Sequence, residues 1–197
     1  MKKQISLVVM LCLLFVSTDL YGQKKKHKVE VCIGIWSTSD MLSTFSDIII
    51  SSLPTKIKME DGNSFGSIHL DYRYNLTDRF ALGGLMAFDY ANAKGVFDGN
   101  ETGKFYKRHY TLAVEAEYAY LRSGKFTMYA LGGLGGTLYT LKYKDRKDSR
   151  LNDSATDPYA AFQVTPVGLR YGKNAGGFLE FGFGYRGIVN AGMFMKF

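Results

Sequence analysis

Residues of the types that do chemistry are few in this sequence, and their spacing matches neither a metal site nor a hydrolase. The histidines and the cysteine beyond the N-terminal apolar run are His27, His69, His109 and Cys32. Their separations are not those of metal ligands. Hydrolysis needs a nucleophile beside a base, and His69 has Ser67 and Asp71 close by, but no pattern of known lipases, acyltransferases or proteases accompanies them. We therefore expect no catalytic residue, no metal ligand and no cofactor.

The carboxylates Glu115 and Glu117 form an acid pair whose spacing would suit general acid–base work. The alternative is structural, because charges in a narrow interior must pair with one another or with water. Charged residues expected on the same kind of face are Glu30, Asp71, Arg73, Asp89, Glu115, Glu117, Arg170, Glu180, Arg186 and Lys196. Acids and bases are both present among them, which favours the pairing interpretation.

The segments that carry these charges alternate between apolar and polar residues. In residues 66–76, Ile68, Leu70 and Tyr72 are separated by His69 and Asp71. Successive side chains of a strand point to opposite faces, so such a segment has one apolar and one polar face. Residues 109–121, 178–186 and 189–197 repeat the pattern.

Eight such segments are predicted, at residues 29–36, 66–76, 80–92, 108–122, 126–142, 159–171, 177–185 and 189–197. Short connections at 77–79, 123–125 and 172–176 alternate with long polar ones at 37–65, 93–107 and 143–158, and the last connection, 186–188, is short. Short turns at one end and long loops at the other are typical of an outer-membrane barrel with both termini at the periplasmic side.

The distribution of residue sizes indicates which face is inside. The charged face also carries small residues and the apolar face carries aromatics, which suits a narrow polar interior and a lipid-facing exterior. A soluble barrel of the lipocalin kind would instead bury the tyrosines. Aromatics expected in the two interfacial girdles are Tyr72, Tyr74, Phe80, Tyr118, Tyr120, Phe126, Tyr171 and Phe197 near the short turns, and Phe88, Tyr90, Tyr110 and Tyr185 near the long loops. We predict an all-β fold: an eight-stranded antiparallel transmembrane up-and-down β-barrel.

The N-terminus reads as an export signal. Lys2 and Lys3 precede an apolar run from residue 5 to 16, far short of the ~20 residues of a spanning helix. We expect cleavage after Gly22, which leaves residues 23–197 as the barrel in the cell outer membrane. The formal net charge is +7, but export and the mixing of acids with bases argue against nucleic acid as a partner. The basic run at residues 24–28 is expected to be a solvated tail or to touch anionic headgroups.

The first long connection contains apolar residues at helical spacing. They are Met41, Leu42, Phe45, Ile48, Ile49 and Leu53. Ser39 or Asp40 would cap a helix here, and Pro54 follows its end. We predict a short amphipathic helix at about residues 39–53. A loop with a few apolar residues, or an extra strand at 48–50, is the alternative.

The closing residues carry a resemblance to a known group of proteins. Residues 182–187 read Gly-Phe-Gly-Tyr-Arg-Gly and residues 193–197 read Met-Phe-Met-Lys-Phe. With the export signal and the eight amphipathic strands, they make the chain resemble the small Gram-negative outer-membrane barrels of the OmpX, Ail and OmpW type. The resemblance implies that Phe197 belongs to a signal read by the barrel-assembly machinery. It also implies outer-membrane lipids and lipopolysaccharide as partners.

The function that follows from this resemblance is a non-catalytic barrel whose outer loops serve surface interaction or envelope integrity, with an unknown extracellular partner. A narrow porin-like channel for small solutes is the first alternative, which the charged interior disfavours although the loop helix could be its gate. A lipid-modifying outer-membrane enzyme is the second alternative.

Folding the last strands about their turns predicts one particular group of interior charges. Turns near 174 and 187 would set Gly168 and Phe194 opposite Glu180. Closure of the barrel would then assemble Glu30, Arg170, Glu180 and Lys196 at the periplasmic end. This register turns Gln163 and Thr165 outward, so we expect a bulge near Pro166.

Overall fold

The computed structural model describes residues 26–35, 57–60, 64–97, 100–145 and 153–197. The predicted export signal at 1–22 and the predicted loop helix at 39–53 lie outside these residues. No helix in the described part is long and apolar enough to cross a membrane.

The described residues form nine β-strands. They are β1 (His27–Ile35), β2 (Ile57–Glu60), β3 (Ser64–Asn75), β4 (Phe80–Phe97), β5 (Asn100–Ser123), β6 (Phe126–Asp145), β7 (Asp153–Gly172), β8 (Ala175–Gly184) and β9 (Val189–Lys196).

Eight of these strands close into an antiparallel up-and-down barrel. Each pairs with its neighbour in the order β1, β3, β4, β5, β6, β7, β8, β9, and β9 pairs back onto β1. The short β2 stands outside the ring and pairs with the end of β4, with Glu60 opposite Lys94. The predicted eight-stranded barrel is therefore confirmed.

The two faces of the barrel have opposite polarity. Val114, Leu134 and Met193 point outward and are 68%, 74% and 74% exposed, whereas Glu30 and Arg73 point inward and are 0% exposed. A water-soluble barrel requires the reverse arrangement, because exposed apolar area is unfavourable in water. The fold is thus compatible with an outer-membrane location.

The connections divide the barrel into two ends. At the short-turn end, residues 76–79, 124–125 and 173–174 link neighbouring strands. The turn at 76–79 is held by the Thr77 hydroxyl, which accepts a hydrogen bond from the backbone N–H of Phe80 at 2.9 Å. Gly124 has φ +59, a left-handed conformation that glycine adopts without strain. The opposite end, where β4 to β7 extend furthest, is called the hairpin end.

Two of the predicted long loops are mostly strand, which corrects the sequence analysis. Residues 93–107 and 143–158 belong largely to β4 with β5 and to β6 with β7. Cross-strand aromatic pairs such as Phe105 and Tyr143, with ring centroids 4.8 Å apart, stabilise these extensions. The sequence pattern misses them because polar residues occur on both faces there and the apolar–polar alternation is lost.

The predicted register holds on one side of β8 and is wrong on the other. Gly168 pairs with Glu180 as expected, and the β7–β8 register shifts between Val164 and Val167, so the predicted bulge is confirmed. On the β9 side Glu180 faces Asn190 and not Phe194. The turn is centred near residue 185, two residues earlier than expected, which shifts the register by four residues, because the chain leaves β8 at Gly184 and turns into the barrel.

Candidate functional site

The barrel interior holds a network of charged side chains. They come from alternate positions of five strands and from the β8–β9 connection, which is why they share one face. The members are Lys28, Glu30, Asp71, Arg73, Glu115, Glu117, Arg170, Glu180 and Arg186, and all are buried. We call this set the interior network.

The part of the interior network nearest the short-turn end is built around Arg170. Its guanidinium donates to Glu30 at 2.6 Å and to Glu117 at 2.8 and 3.0 Å. The ammonium of Lys28 lies 2.6 Å from Glu117 and 3.2 Å from Glu30. Two carboxylates and two bases therefore alternate here.

Arg73 joins this part of the network to the part above it. It donates to Glu30, to Glu117 at 2.9 Å and to Glu115 at 2.7 Å. Because β3 contributes Arg73 and β5 contributes both Glu115 and Glu117, the guanidinium ties together two strands that β4 separates.

The upper part is organised by Arg186, which lies in the connection after β8. Its guanidinium donates to Glu115 at 2.8 Å, to Glu180 at 2.9 Å and to Asp71. Two tyrosine hydroxyls supply further hydrogen bonds to these carboxylates: Tyr129 donates to Glu180 at 2.7 Å and Tyr185 donates to Glu115 at 2.9 Å. Arg186 thus draws the connection into the barrel.

The charges of the interior network nearly cancel. Four bases face five carboxylates within the described residues, and each carboxylate lies within 4.0 Å of at least one base. Buried charges are tolerated only when paired and hydrogen-bonded. The network meets the pairing requirement for every charge, and among its buried polar atoms Asp71 Oδ2, Arg73 Nε and Arg170 Nε make no hydrogen bond within the described residues. It acts as a packed polar core.

The structure divides the predicted group of Glu30, Arg170, Glu180 and Lys196. Glu30 and Arg170 are ion-paired, but Glu180 pairs with Arg186 in the upper part. Lys196 stands opposite Lys28 in the β1–β9 register, and its ammonium lies 5.4 Å from the centre of the Phe194 ring. The grouping is corrected accordingly, and the four-residue shift in the β8–β9 register is the reason.

The other predicted residues fall as follows. Asp71, Arg73, Glu115 and Glu117 belong to the interior network, and Asp89 is buried nearer the hairpin end, opposite Ser67 and His109. Phe197 stacks on His27 with ring centroids 5.5 Å apart. Recognition of Phe197 by the barrel-assembly machinery stays a prediction.

Three network partners are absent from the sequence-based set. Lys28 lies two residues before Glu30, so the strand period of two places both side chains on the same face. In the sequence, however, Lys28 was grouped with the basic run at residues 24–28. Tyr129 is fully buried, with the Arg170 guanidinium 4.1 Å from its ring centre. Tyr185, predicted for the outer girdle, is 2% exposed and points inward, because the connection carrying it folds into the barrel.

A small polar cluster lies next to the network on β1 and β3. The Cys32 sulfur is 3.1 Å from His69 Nδ1, and the Ser67 hydroxyl is hydrogen-bonded to His69 Nε2. A serine beside a histidine is half of a hydrolytic triad, but here the second ring nitrogen faces a thiol in place of a carboxylate. All three side chains are at most 1% exposed, which keeps substrate out. In the described ranges no group of His, Cys, Asp and Glu could hold a metal ion.

No protein-family model matches the chain, and a search of the curated proteins finds no match either. What this barrel does is therefore best argued from its polarity, its filled interior and its long hairpins.

Proposed function

We propose that this protein is a non-catalytic outer-membrane barrel of the OmpX, Ail and OmpW type that presents a protruding β-sheet at the cell surface. The observation that carries the proposal is the length of the strands at the hairpin end. A membrane-spanning strand needs ~9–11 residues, whereas β5 has 24 and β6 and β7 have 20 each. About half of each long strand is therefore available beyond the bilayer.

The extended parts of β4 to β7 form one continuous sheet, which we call the protruding sheet. Its pairings run from Asn92 opposite Tyr106 to Tyr106 opposite Lys142 and Lys142 opposite Ser154. A sheet held by this many hydrogen bonds is a stiffer binding surface than a loop, since less conformational entropy is lost when a partner binds.

One edge of the protruding sheet is open in the described chain. Residues 153–161 of β7 pair with β6 only, because β8 ends at Gly184 opposite Gln163. Pro158 and Asp157 lie on this edge, and both residue types disfavour the addition of a further strand. Contact through the faces of the sheet is therefore favoured over contact through its edge.

The filled interior supports a structural role, in which the barrel holds the protruding sheet in place, and disfavours a channel. An eight-stranded barrel is just wide enough for its own side chains, and here Arg73, Arg170 and Arg186 reach across it to carboxylates on other strands. A continuous water path would have to break these ion pairs. The enclosed Ser67–His69 pair likewise supports the non-catalytic assignment.

The first experiment is fractionation with a conductance measurement on the purified protein. We expect it in the outer membrane, with a gel mobility that changes on heating, and no steady conductance in planar bilayers. Recovery from the soluble periplasm would refute the membrane assignment, and stable channels would favour the porin-like alternative.

A second experiment tests the protruding sheet itself. Deleting residues 94–104 and closing the hairpin with a two-residue Asn-Gly turn leaves Ala93 and Phe105, which are opposite one another, as its last pair. The shortened protein should remain heat-modifiable but lose attachment of the expressing cells to host-cell and serum-coated surfaces. Unchanged attachment would contradict the surface role.

A further inference from the structure

A cavity of about 540 Å³ lies at the short-turn end of the barrel. Its walls come from the β3–β4 turn, the ends of β5 and β9, the β7–β8 turn and the residue before β1. The charged residues that line it are Lys26, Asp78, Arg122, Lys173 and Lys196. Sites for small molecules have volumes in this range, so the cavity has room for a ligand larger than a single inorganic ion. We call it the basic cavity.

The charges around the basic cavity are strongly unbalanced. Four bases and one acid line it, which leaves a net charge of +3 among the lining residues. The bases come from four separate parts of the chain, and Lys26 is the one that belongs to the basic run at residues 24–28. The fold therefore gathers these charges at one place, and a local run of lysines does not account for them.

The single acid of the cavity does not remove this imbalance. Asp78 lies in the β3–β4 turn, and its backbone carbonyl accepts a hydrogen bond from the guanidinium of Arg122. Its carboxylate can neutralise one positive charge of the four. A net attraction for anions therefore remains, and Arg122 is held in place beside the cavity.

The carboxylates of the interior network are engaged elsewhere. Glu30 and Glu117 belong to the part of the network nearest this end, and both lie within 3.2 Å of Lys28 and within 2.8 Å of Arg170. Neither of them lines the basic cavity, and neither does Phe197. The counter-charge for the cavity must therefore come from outside the described chain.

Lys196 is the base with the strongest need for a counter-ion. It is half-buried, whereas the other three bases of the cavity are exposed. It stands directly opposite Lys28 in the β1–β9 register, and like charges directly opposite one another destabilise a sheet. Arg170, Lys28 and Arg122 repel its ammonium, each more strongly than Glu117 attracts it. In the part of the chain that the structure describes, Lys196 forms no ion pair.

We propose that the basic cavity binds a small anion that carries two or more carboxylate or phosphate groups. Lysines are point charges that accept either group. Bases spread around a cavity of this size suit several negative groups on one ligand, because a single group can reach only some of them. The inference rests on the proposed function, which places the short-turn end in the periplasm and so makes the ligand a periplasmic solute.

The test compares two double variants of the full-length mature protein in neutral detergent. Lys173→Gln/Lys196→Gln removes two bases from the basic cavity. Its control, Arg79→Gln/Lys125→Gln, removes two exposed bases from the other short turns that do not line the cavity, so the net charge changes equally. The probes are citrate and tripolyphosphate, each titrated by isothermal calorimetry.

We expect wild type to bind at least one probe at a single site per barrel. The cavity variant should bind it about 100-fold more weakly, at about 10-fold for each base that is lost. The control should stay within about 3-fold of wild type, because exposed charges that do not touch the ligand are screened by salt. Equal weakening in both variants would mean diffuse attraction to this end, and that result, or no binding of either probe, would overturn the proposal.

Further titrations identify the ligand chemistry. Tighter binding of citrate would indicate a carboxylate ligand, and tighter binding of tripolyphosphate a phosphate ligand. Acetate at the same ionic strength should bind far more weakly than citrate, and equal binding would contradict the need for several negative groups. Short-chain phosphatidylglycerol, which has one phosphate, should not displace the probe. Displacement would make the cavity a lipid headgroup site and would overturn the proposal.

Single changes at Lys196 distinguish a binding role from a structural one. Lys196→Arg keeps the charge and should bind within about 3-fold of wild type, whereas Lys196→Gln should bind about 10-fold more weakly. Without the anion, Lys196→Gln should unfold at an equal or higher urea concentration than wild type, because the repulsion from Lys28 and Arg170 is relieved. Saturating probe should raise the midpoint of wild type more than that of the variant. A lower midpoint for Lys196→Gln both with and without the probe would mean that this lysine only supports the barrel.

Fractionation separates this inference from the proposed function. Calorimetry in detergent needs no membrane, so its outcome does not depend on where the protein resides. Wild type that is found in the outer membrane but binds no probe contradicts the anion site alone. Wild type that is recovered from the soluble periplasm contradicts the proposed function, whatever it binds.

Discussion

Replacing Arg186 tests whether the interior network holds the barrel together. Arg186→Met removes the only base within 4.0 Å of Glu180 in the described chain. It also removes the shorter of the two ion pairs of Asp71 and two hydrogen bonds of 2.8 Å to Glu115. The interior then holds three bases and five carboxylates. Breaking a buried ion pair from one side costs about 3–5 kcal/mol, and we expect a loss of unfolding free energy in that range.

The assay is the folded fraction by unheated gel mobility across a urea series in lipid vesicles. The double variant Arg186→Met/Glu180→Gln removes one of the stranded carboxylates, so it should recover about 1–3 kcal/mol relative to the sum of the single changes. Lys173→Met, an exposed change in a short turn, is the control and should stay within about 0.5 kcal/mol of wild type. An Arg186→Met midpoint equal to that of the control, or no recovery in the double variant, would refute the account.

Three further predictions concern the outer face, the packing of the network and the enclosed thiol. Val114→Arg, at mid-depth on the outer face, should cost about 2–4 kcal/mol in vesicles, whereas Val114→Leu should not; equal urea midpoints would contradict a lipid-facing position. A Cβ on Gly168 would overlap the Tyr129 ring, whereas one on Gly132 meets nothing within 4 Å. Gly168→Ala should therefore cost about 1–3 kcal/mol by overpacking and Gly132→Ala little, and the reverse order of midpoints would show that Tyr129 lies elsewhere. Cys32 is 1% exposed, so a maleimide should label it only after unfolding; rapid labelling of the folded protein would mean that the interior is open.

The interior network also explains why this barrel tolerates so many buried charges. Every carboxylate in it has a base within reach, and Tyr129 and Tyr185 supply donors to two of them. Partly satisfied networks are more costly than apolar cores, so removal of single members should be felt across the barrel. The non-additive loss of unfolding free energy predicted for the Arg186 and Glu180 variants is one example of this dependence between network members.

The faces of the strands could be predicted from the sequence by itself. In residues 66–76 and 109–121 the period of two is unbroken, and a slip of one residue would exchange every outward-facing side chain for an interior one. The alternation therefore determined the polarity of the barrel, its eight strands and the inward direction of Asp71, Arg73, Glu115 and Glu117. Short turns at one end followed from their turn residues.

Other features were decided only by the tertiary structure. The β8–β9 register differs by four residues from the sequence prediction because Arg186 turns inward to three carboxylates on three different strands. Tyr129 and Tyr185 point inward because those carboxylates need donors, although aromatics on such strands are usually expected to face lipid. The protruding sheet was not predicted because polar residues occur on both of its faces, so the apolar–polar alternation is lost there. Local period records which side of a strand is apolar, whereas the pairing of charges across a closed barrel depends on residues brought together from distant parts of the chain.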